Sequence, residues 1–225
     1  MTKTVTERLK SVKETIPEGV KLIAVSKTKP NSDILEAYQE GQIYFGENKA
    51  QELERKAGEL PGDIHWHFIG HLQTNKVKYI APFVSMIEAV DSLKLLKEIN
   101  KQAAKSERVI PCLLQFHIAE EDTKFGLDRE EAQALLDSEP FKKMQNIRIA
   151  GVMGMATYTE NSDQLRREFK FLKAVFDWLK QEYFSETPDF KEISMGMSGD
   201  YPVAIQEGAT MVRVGSLIFG ERNYN

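Results

Sequence analysis

Eight short β-rich runs, the first seven each followed by a helix-like segment, set the limits on what this chain can fold into. They start at residues 21, 43, 64, 84, 109, 147, 192 and 211, a spacing that leaves room for one βα unit each. The predicted strands are Lys21–Ser26, Ile43–Phe45, Ile64–Ile69, Val84–Val90, Val109–Phe116, Ile147–Met153, Glu192–Met195 and Met211–Val214. The first, Leu22-Ile23-Ala24-Val25, shows no polar alternation, as expected of a strand covered on both faces. Eight parallel strands with their crossovers in 225 residues is the arithmetic of a (β/α)8 TIM barrel. A doubly wound open sheet produces the same alternation, and the barrel is the fold expected. Ahead of the first strand, Val5, Leu9, Val12 and Ile16 form a helical apolar stripe within Lys3–Ile16. No Pro/Gly/Ser-rich linker or repeat divides the chain, so residues 1–225 read as one domain.

Charge and cysteine usage exclude several classes of function. A net charge of -4 supplies none of the basic excess that phosphate-backbone binding needs, so nucleic acid is not an expected partner. The longest stretch without Asp, Glu, Lys or Arg is twelve residues, Ile64–Asn75, too short to cross a bilayer core of roughly 30 Å. The single cysteine, Cys112, cannot form an internal disulfide, and the start of the chain has no apolar signal region, so a cytoplasmic protein is expected. Cys112 lies in a predicted strand among Ile110, Leu113 and Leu114 and reads as a small core residue. The stripe Leu165, Phe169, Leu172, Val175, Phe176 and Leu179 describes a packing helix, with the run Arg166-Arg167-Glu168 as its polar side.

In either parallel architecture functional groups collect at the C-terminal ends of strands. The loops after strands seven and eight, where barrels hold phosphate, read Met195-Gly196-Met197-Ser198-Gly199 and Arg213-Val214-Gly215-Ser216. Small residues let backbone N–H groups approach an anion, and the Ser198 and Ser216 hydroxyls add donors; the helix expected after Asp200 adds its dipole. Turn formation alone is the bland reading of either loop, but the pair at these two strand ends favours an anion cradle. Lys27 is in phase with Ile23 and Val25, so its side chain should enter the barrel mouth, whereas Lys29 should be solvated. A lysine stripped of hydration loses pKa and can attack a carbonyl carbon to form a Schiff base. Beside a phosphate cradle, that combination suggests pyridoxal 5′-phosphate. Arg213 alternates with Met211 and Gly215 and also points inward, so it requires a partner: either an unprotonated pyridine nitrogen or an internal carboxylate. His65, His67, His71 and His117 admit a metal-dependent hydrolase reading, against which satisfied core and mouth histidines are the better account.

Several of these segments coincide with the blocks of one family. Ala24-Val25-Ser26-Lys27-Thr28-Lys29-Pro30 resembles the lysine segment of the pyridoxal phosphate homeostasis proteins, the YggS/PROSC family. Phe45-Gly46-Glu47-Asn48, Trp66–Lys76, Ser194–Asp200 and Val212–Ser216 resemble further blocks in the same order. The resemblance implies a barrel of the alanine racemase N-terminal type, with pyridoxal phosphate held as an imine on Lys27 and Arg213 facing the pyridine nitrogen. It implies that Ser198, Gly215 and Ser216 hold the phosphate and that Asn48, His71 and Met197 line the cofactor. Ser216 stands where the family often has threonine, keeping the hydroxyl. The chain extends only about ten residues past the eighth strand, without the racemase β-domain that supplies a second acid/base. Management of the cofactor is therefore the implied role, and an amino-acid racemase is the alternative. The expected partners are pyridoxal phosphate and the apo-enzymes that use it, and the expected state is a monomer.

Overall fold

A computed structural model describes residues 3–120 and 126–221. The eight expected strands are all present: β1 (Lys21–Val25), β2 (Tyr44–Glu47), β3 (His65–Phe68), β4 (Met86–Val90), β5 (Ile110–His117), β6 (Ile147–Met155), β7 (Glu192–Ser194) and β8 (Met211–Val214). All neighbours pair in parallel in sequence order, and β8 returns to β1. That last pairing, with Ile23 opposite Arg213 and Ala24 opposite Val214, closes the barrel and rules out the open sheet.

Side chains alternate across the wall as the pleat requires. Leu22, Ala24, Phe45, Trp66, Phe68, Ile87, Cys112, Val212 and Val214 point outward into the main core beneath the helices. Ile23, Met86, Ala89, Leu113, Ala150, Met153 and Met211 fill the barrel interior, with Tyr44 packed against them. Cys112 is fully buried, and burial pushes its thiol far up, so it is the inert core residue expected.

The helical layer contains α1 (Val5–Lys13), α2 (Asn31–Gln39), α3 (Ala50–Glu59), α4 (Val77–Ile80), α5 (Leu93–Lys105), α6 (Arg129–Asp137), α7 (Glu139–Lys142), α8 (Ser162–Glu182), α9 (Tyr201–Gln206) and α10 (Ser216–Phe219). A Thr4–Glu7 capping box starts α1, which ends before Ile16 and turns Val5, Leu9 and Val12 inward. The start of α8 is set by Asn161, whose side chain accepts the N–H groups of Asp163 and Gln164. The expected stripe of α8 is buried apart from Phe176, which is partly buried. Two helices, α6 and α7, account for the long interval between β5 and β6. The last strand, expected to have no helix after it, is followed by α10, whose four residues are too few to show an apolar period.

Candidate functional site

The C-terminal ends of the strands surround a cavity of about 1190 Å³. Seven of the eight predicted residues line it: Lys27, Asn48, Met197, Ser198, Arg213, Gly215 and Ser216. The eighth, His71, is not part of that lining. It lies on the rim with its side chain 54 % exposed and Nδ1 3.3 Å from Asp91 Oδ2. A cleft of about 370 Å³ at the opposite end, lined by Lys13, Lys21 and Tyr44 among others, receives none of the predicted residues.

Strand phase delivers Lys27 as expected. Val25 and Lys27 both line the cavity, while Ser26 between them turns into the wall and is fully buried. Lys29 departs from expectation. It is half-buried, lines the same cavity and donates to the carbonyls of Phe219 and Glu221 at 2.9 and 2.8 Å. Carbonyl groups left over at the end of α10 attract an ammonium there, which is why this lysine is not in solvent.

The two predicted anion loops meet. The Gly215 N–H donates to Ser198 Oγ at 3.2 Å, so the hydroxyl of one loop fixes the backbone of the other. At Gly215 a Cβ would stand 3.1 Å from the Val25 carbonyl oxygen and 3.2 Å from Val25 Cβ, so a side chain there would press β8 and β1 apart by a few tenths of an ångström. Gly199 lines the cavity, and a Cβ there would meet nothing within 4 Å. Asp200 alters the electrostatic picture: its carboxylate accepts the Met197 N–H, lies in the lining and is buried. Burial holds its carboxyl above the ordinary 3.8, opposed by the Met197 N–H and by Arg213. The predicted helix after Asp200 is present as α9.

Arg213 sits at the cavity floor and is 3 % exposed. Its Nη1 donates to Ser194 Oγ at 2.6 Å and its Nη2 to the Gly154 carbonyl at 2.9 Å. Ser194 in turn donates to Glu88 Oε2 at 2.6 Å, and the other Glu88 oxygen is 2.6 Å from His67 Nδ1. Arg213 and Glu88 are themselves 3.9 Å apart. The internal carboxylate is thus real but acts through a serine, and Arg213 still faces the cavity. Burial raises the Glu88 carboxyl, yet the bond from His67 and the nearby Arg213 outweigh it and hold Glu88 below its ordinary value.

The histidines do not assemble. His65 stacks on Tyr44 at the N-terminal end of β3, His67 is committed to Glu88, and His71 is on the rim. Among the described residues no group of three or more His, Cys, Asp or Glu side chains could hold a metal ion. Sequence reasoning passes over the segment after β6: Thr157, Tyr158, Thr159, Glu160 and Ser162 line the cavity, and Tyr158 is 97 % exposed. Glu168 of α8 anchors that segment, accepting Thr157 N–H and Oγ1–H, each at 2.7 Å, and the Glu120 N–H at 3.0 Å. It belongs to the charge run read as the polar side of a packing helix but is 2 % exposed. Among the described residues no helix is long and apolar enough to cross a membrane.

The match to known proteins runs nearly end to end. The family model for the alanine racemase N-terminal domain matches residues 2–223. A pyridoxal phosphate homeostasis protein of Aquifex aeolicus (strain VF5) is 40 % identical over 224 residues, covering 98 % of this chain and 96 % of that protein. The Homo sapiens protein of the same name is 37 % identical over 215 residues, covering 91 % of this chain and 78 % of that protein. PipY of Synechococcus elongatus PCC7942, solved with pyridoxal phosphate bound, superposes with a TM-score of 0.86 at 35 % identity, over 96 % of this chain and 100 % of that one. Alanine racemase of Clostridium difficile 630, at 14 % identity and a TM-score of 0.72 over 99 % of this chain and 57 % of that one, shares the fold. The chain belongs to the alanine racemase N-terminal domain family and, within it, to the pyridoxal phosphate homeostasis proteins.

Proposed function

We propose that this protein binds pyridoxal 5′-phosphate reversibly, as a Schiff base on Lys27, and takes part in keeping the free cofactor within bounds and available to apo-enzymes that use it. The observation that carries this reading is the convergence on one cavity of an amine, a buried guanidinium and two mutually bonded Gly/Ser loops. The donor set fits the group. Lys27 supplies a nucleophile for an aldehyde. Backbone N–H groups near Ser198, Gly199 and Ser216, with the two hydroxyls, suit a phosphate, while the Gly215 N–H is taken up by Ser198 Oγ and holds the two loops together. Arg213 suits an unprotonated ring nitrogen, because a guanidinium only donates. Asn48 and Met197, both in the lining, would flank the cofactor between these groups, whereas His71 lies outside the lining. When bound, the cofactor supplies an electrophilic aldehyde that a primary amine can capture and release. Arg213, a permanent cation, keeps a proton off the ring and so weakens the electron sink that amino-acid chemistry needs.

Absorbance spectra before and after borohydride, with peptide mapping of the fixed adduct, test the assignment. Mapping is needed because Lys29 also lines the cavity. The adduct should lie on Lys27 and vanish in Lys27→Ala. The loaded protein should transfer cofactor to an apo-enzyme, and alanine racemisation should stay near that of free cofactor. An undiminished adduct in Lys27→Ala would move the site, and Lys27-dependent racemisation well above free cofactor would make the protein a racemase.

A further inference from the structure

Lys27 is carried by a turn that is strained at one residue and restrained from behind the barrel wall. Thr28 has φ 65°, in the left-handed region that β-branched residues occupy only at a cost. Thr28 is exposed, so packing does not keep it there. Its N–H donates to Glu52 Oε1 of α3 at 2.7 Å. On the other side of Lys27, the Ser26 carbonyl accepts Lys56 Nζ at 2.8 Å, and Ser26 Oγ donates to Glu47 Oε1 at 2.6 Å. Lys56, one turn along α3 from Glu52, is fully buried, and its ammonium also binds Glu47 Oε1 and Glu52 Oε1, each at 2.8 Å. One buried cation therefore ties together the residues before and after Lys27.

Stability is a weak reason for such a cluster. Buried ion pairs cost desolvation and are often replaceable by apolar side chains without loss, and one Glu47 oxygen is buried with no hydrogen-bond partner. None of Glu47, Glu52 and Lys56 lines the cavity, so none touches a ligand there. What the cluster does accomplish is to fix the backbone on both sides of the amine-bearing residue.

We propose that Lys56 and Glu52 are positioning residues that hold the 26–28 turn in the conformation presenting the Lys27 amine to the cavity. This rests on the reading of Lys27 as the partner of an aldehyde. A turn that populates the competent conformation only a fraction of the time weakens apparent affinity by that fraction. The penalty falls only on ligands that must bond to Lys27.

Two ligands separate this role from general support of the cavity: pyridoxal 5′-phosphate, and pyridoxine 5′-phosphate, whose alcohol cannot form an imine. Affinities for both, and hydrogen exchange at the Thr28 amide, should be measured in the unmodified protein, Glu52→Ala, Glu52→Gln and Lys56→Met. The expected result for Glu52→Ala and Lys56→Met is a loss of about tenfold for the aldehyde, a change within about twofold for the alcohol, and faster exchange at Thr28. Glu52→Gln, whose amide oxygen can still accept the Thr28 N–H, should recover most of the affinity. Glu52 is only half-buried, so its variants serve if Lys56→Met does not fold. Equal weakening of both ligands, or unchanged aldehyde affinity in Glu52→Ala, would overturn the proposal. Absence of a Lys27 adduct in the unmodified protein would instead overturn the reading on which it rests.

Discussion

Replacing Ser194 by alanine removes one hydroxyl from the barrel interior and separates two buried charges from their intermediary. Ser194 and Glu88 are fully buried, and Arg213 is 3 % exposed. The hydroxyl accepts from Arg213 and donates to Glu88, both at 2.6 Å. Hydrogen bonds to charged groups contribute about 1.5–3 kcal/mol each, so losing both sets a ceiling of roughly 3–6 kcal/mol. The direct Arg213–Glu88 separation of 3.9 Å can shorten and recover part of this, which leaves an expected loss of about 2–4 kcal/mol. For a chain of this size that corresponds to a fall in Tm of roughly 5–15 °C. Urea unfolding of the cofactor-free protein is the assay, with a lower midpoint and an unchanged slope expected. A loss below about 0.5 kcal/mol, within the range of an ordinary surface change, would show that Arg213 is held by Glu88 without the serine.

Two further outcomes follow from the cavity walls. Burial raises the Glu168 carboxyl, but the donors from Thr157, Glu120 and Gln164 prevail and hold it below its ordinary 4.5; its stabilising contribution is therefore complete above that pH and lost as pH falls through the lower folded value. Glu168→Gln should be less stable than the unmodified protein at neutral pH by roughly 1–3 kcal/mol, with the gap narrowing below pH 4.5; a gap constant down to acid unfolding would contradict this. At the cradle, charge-assisted bonds of about 1.5–3 kcal/mol each predict that unphosphorylated pyridoxal binds at least about a hundredfold more weakly than its phosphate. Ser198→Ala combined with Ser216→Ala should narrow that difference, and equal affinities in the unmodified protein would defeat the assignment.

Local periodicity carries most of the fold and the inward direction of Lys27 and Arg213, because strand phase repeats every two residues and persists to the strand end. The partners of those residues are not legible in the same way. Glu88 on β4 reaches Arg213 on β8 only across a closed barrel, through Ser194 on β7, and no local spacing encodes closure. Glu52 and Lys56 have the spacing of an ordinary surface ion pair on a helix, and burial alone distinguishes them. Glu168 is hidden in the same way within a charged run. Lys29 escapes local reasoning because the carbonyls that hold it belong to the far end of the chain, and the contribution of residues 157–162 escapes it because a polar loop has no periodic signal.

Pairing of β8 with β1 makes the site depend on completion of the fold. Lys27 follows the first strand and Gly215 the last, so the amine and half of the proposed anion cradle lie on either side of a seam that exists only when the barrel is shut. A partly folded chain, or one still being synthesised, has no such site. Any ligand seated across the seam binds the closed form alone and stabilises it by RT ln(1 + [L]/Kd), about 2.7 kcal/mol at a hundredfold excess over Kd. Protease resistance should then rise and fall with free ligand, and the standing amount of folded protein would follow the supply of the molecule it holds.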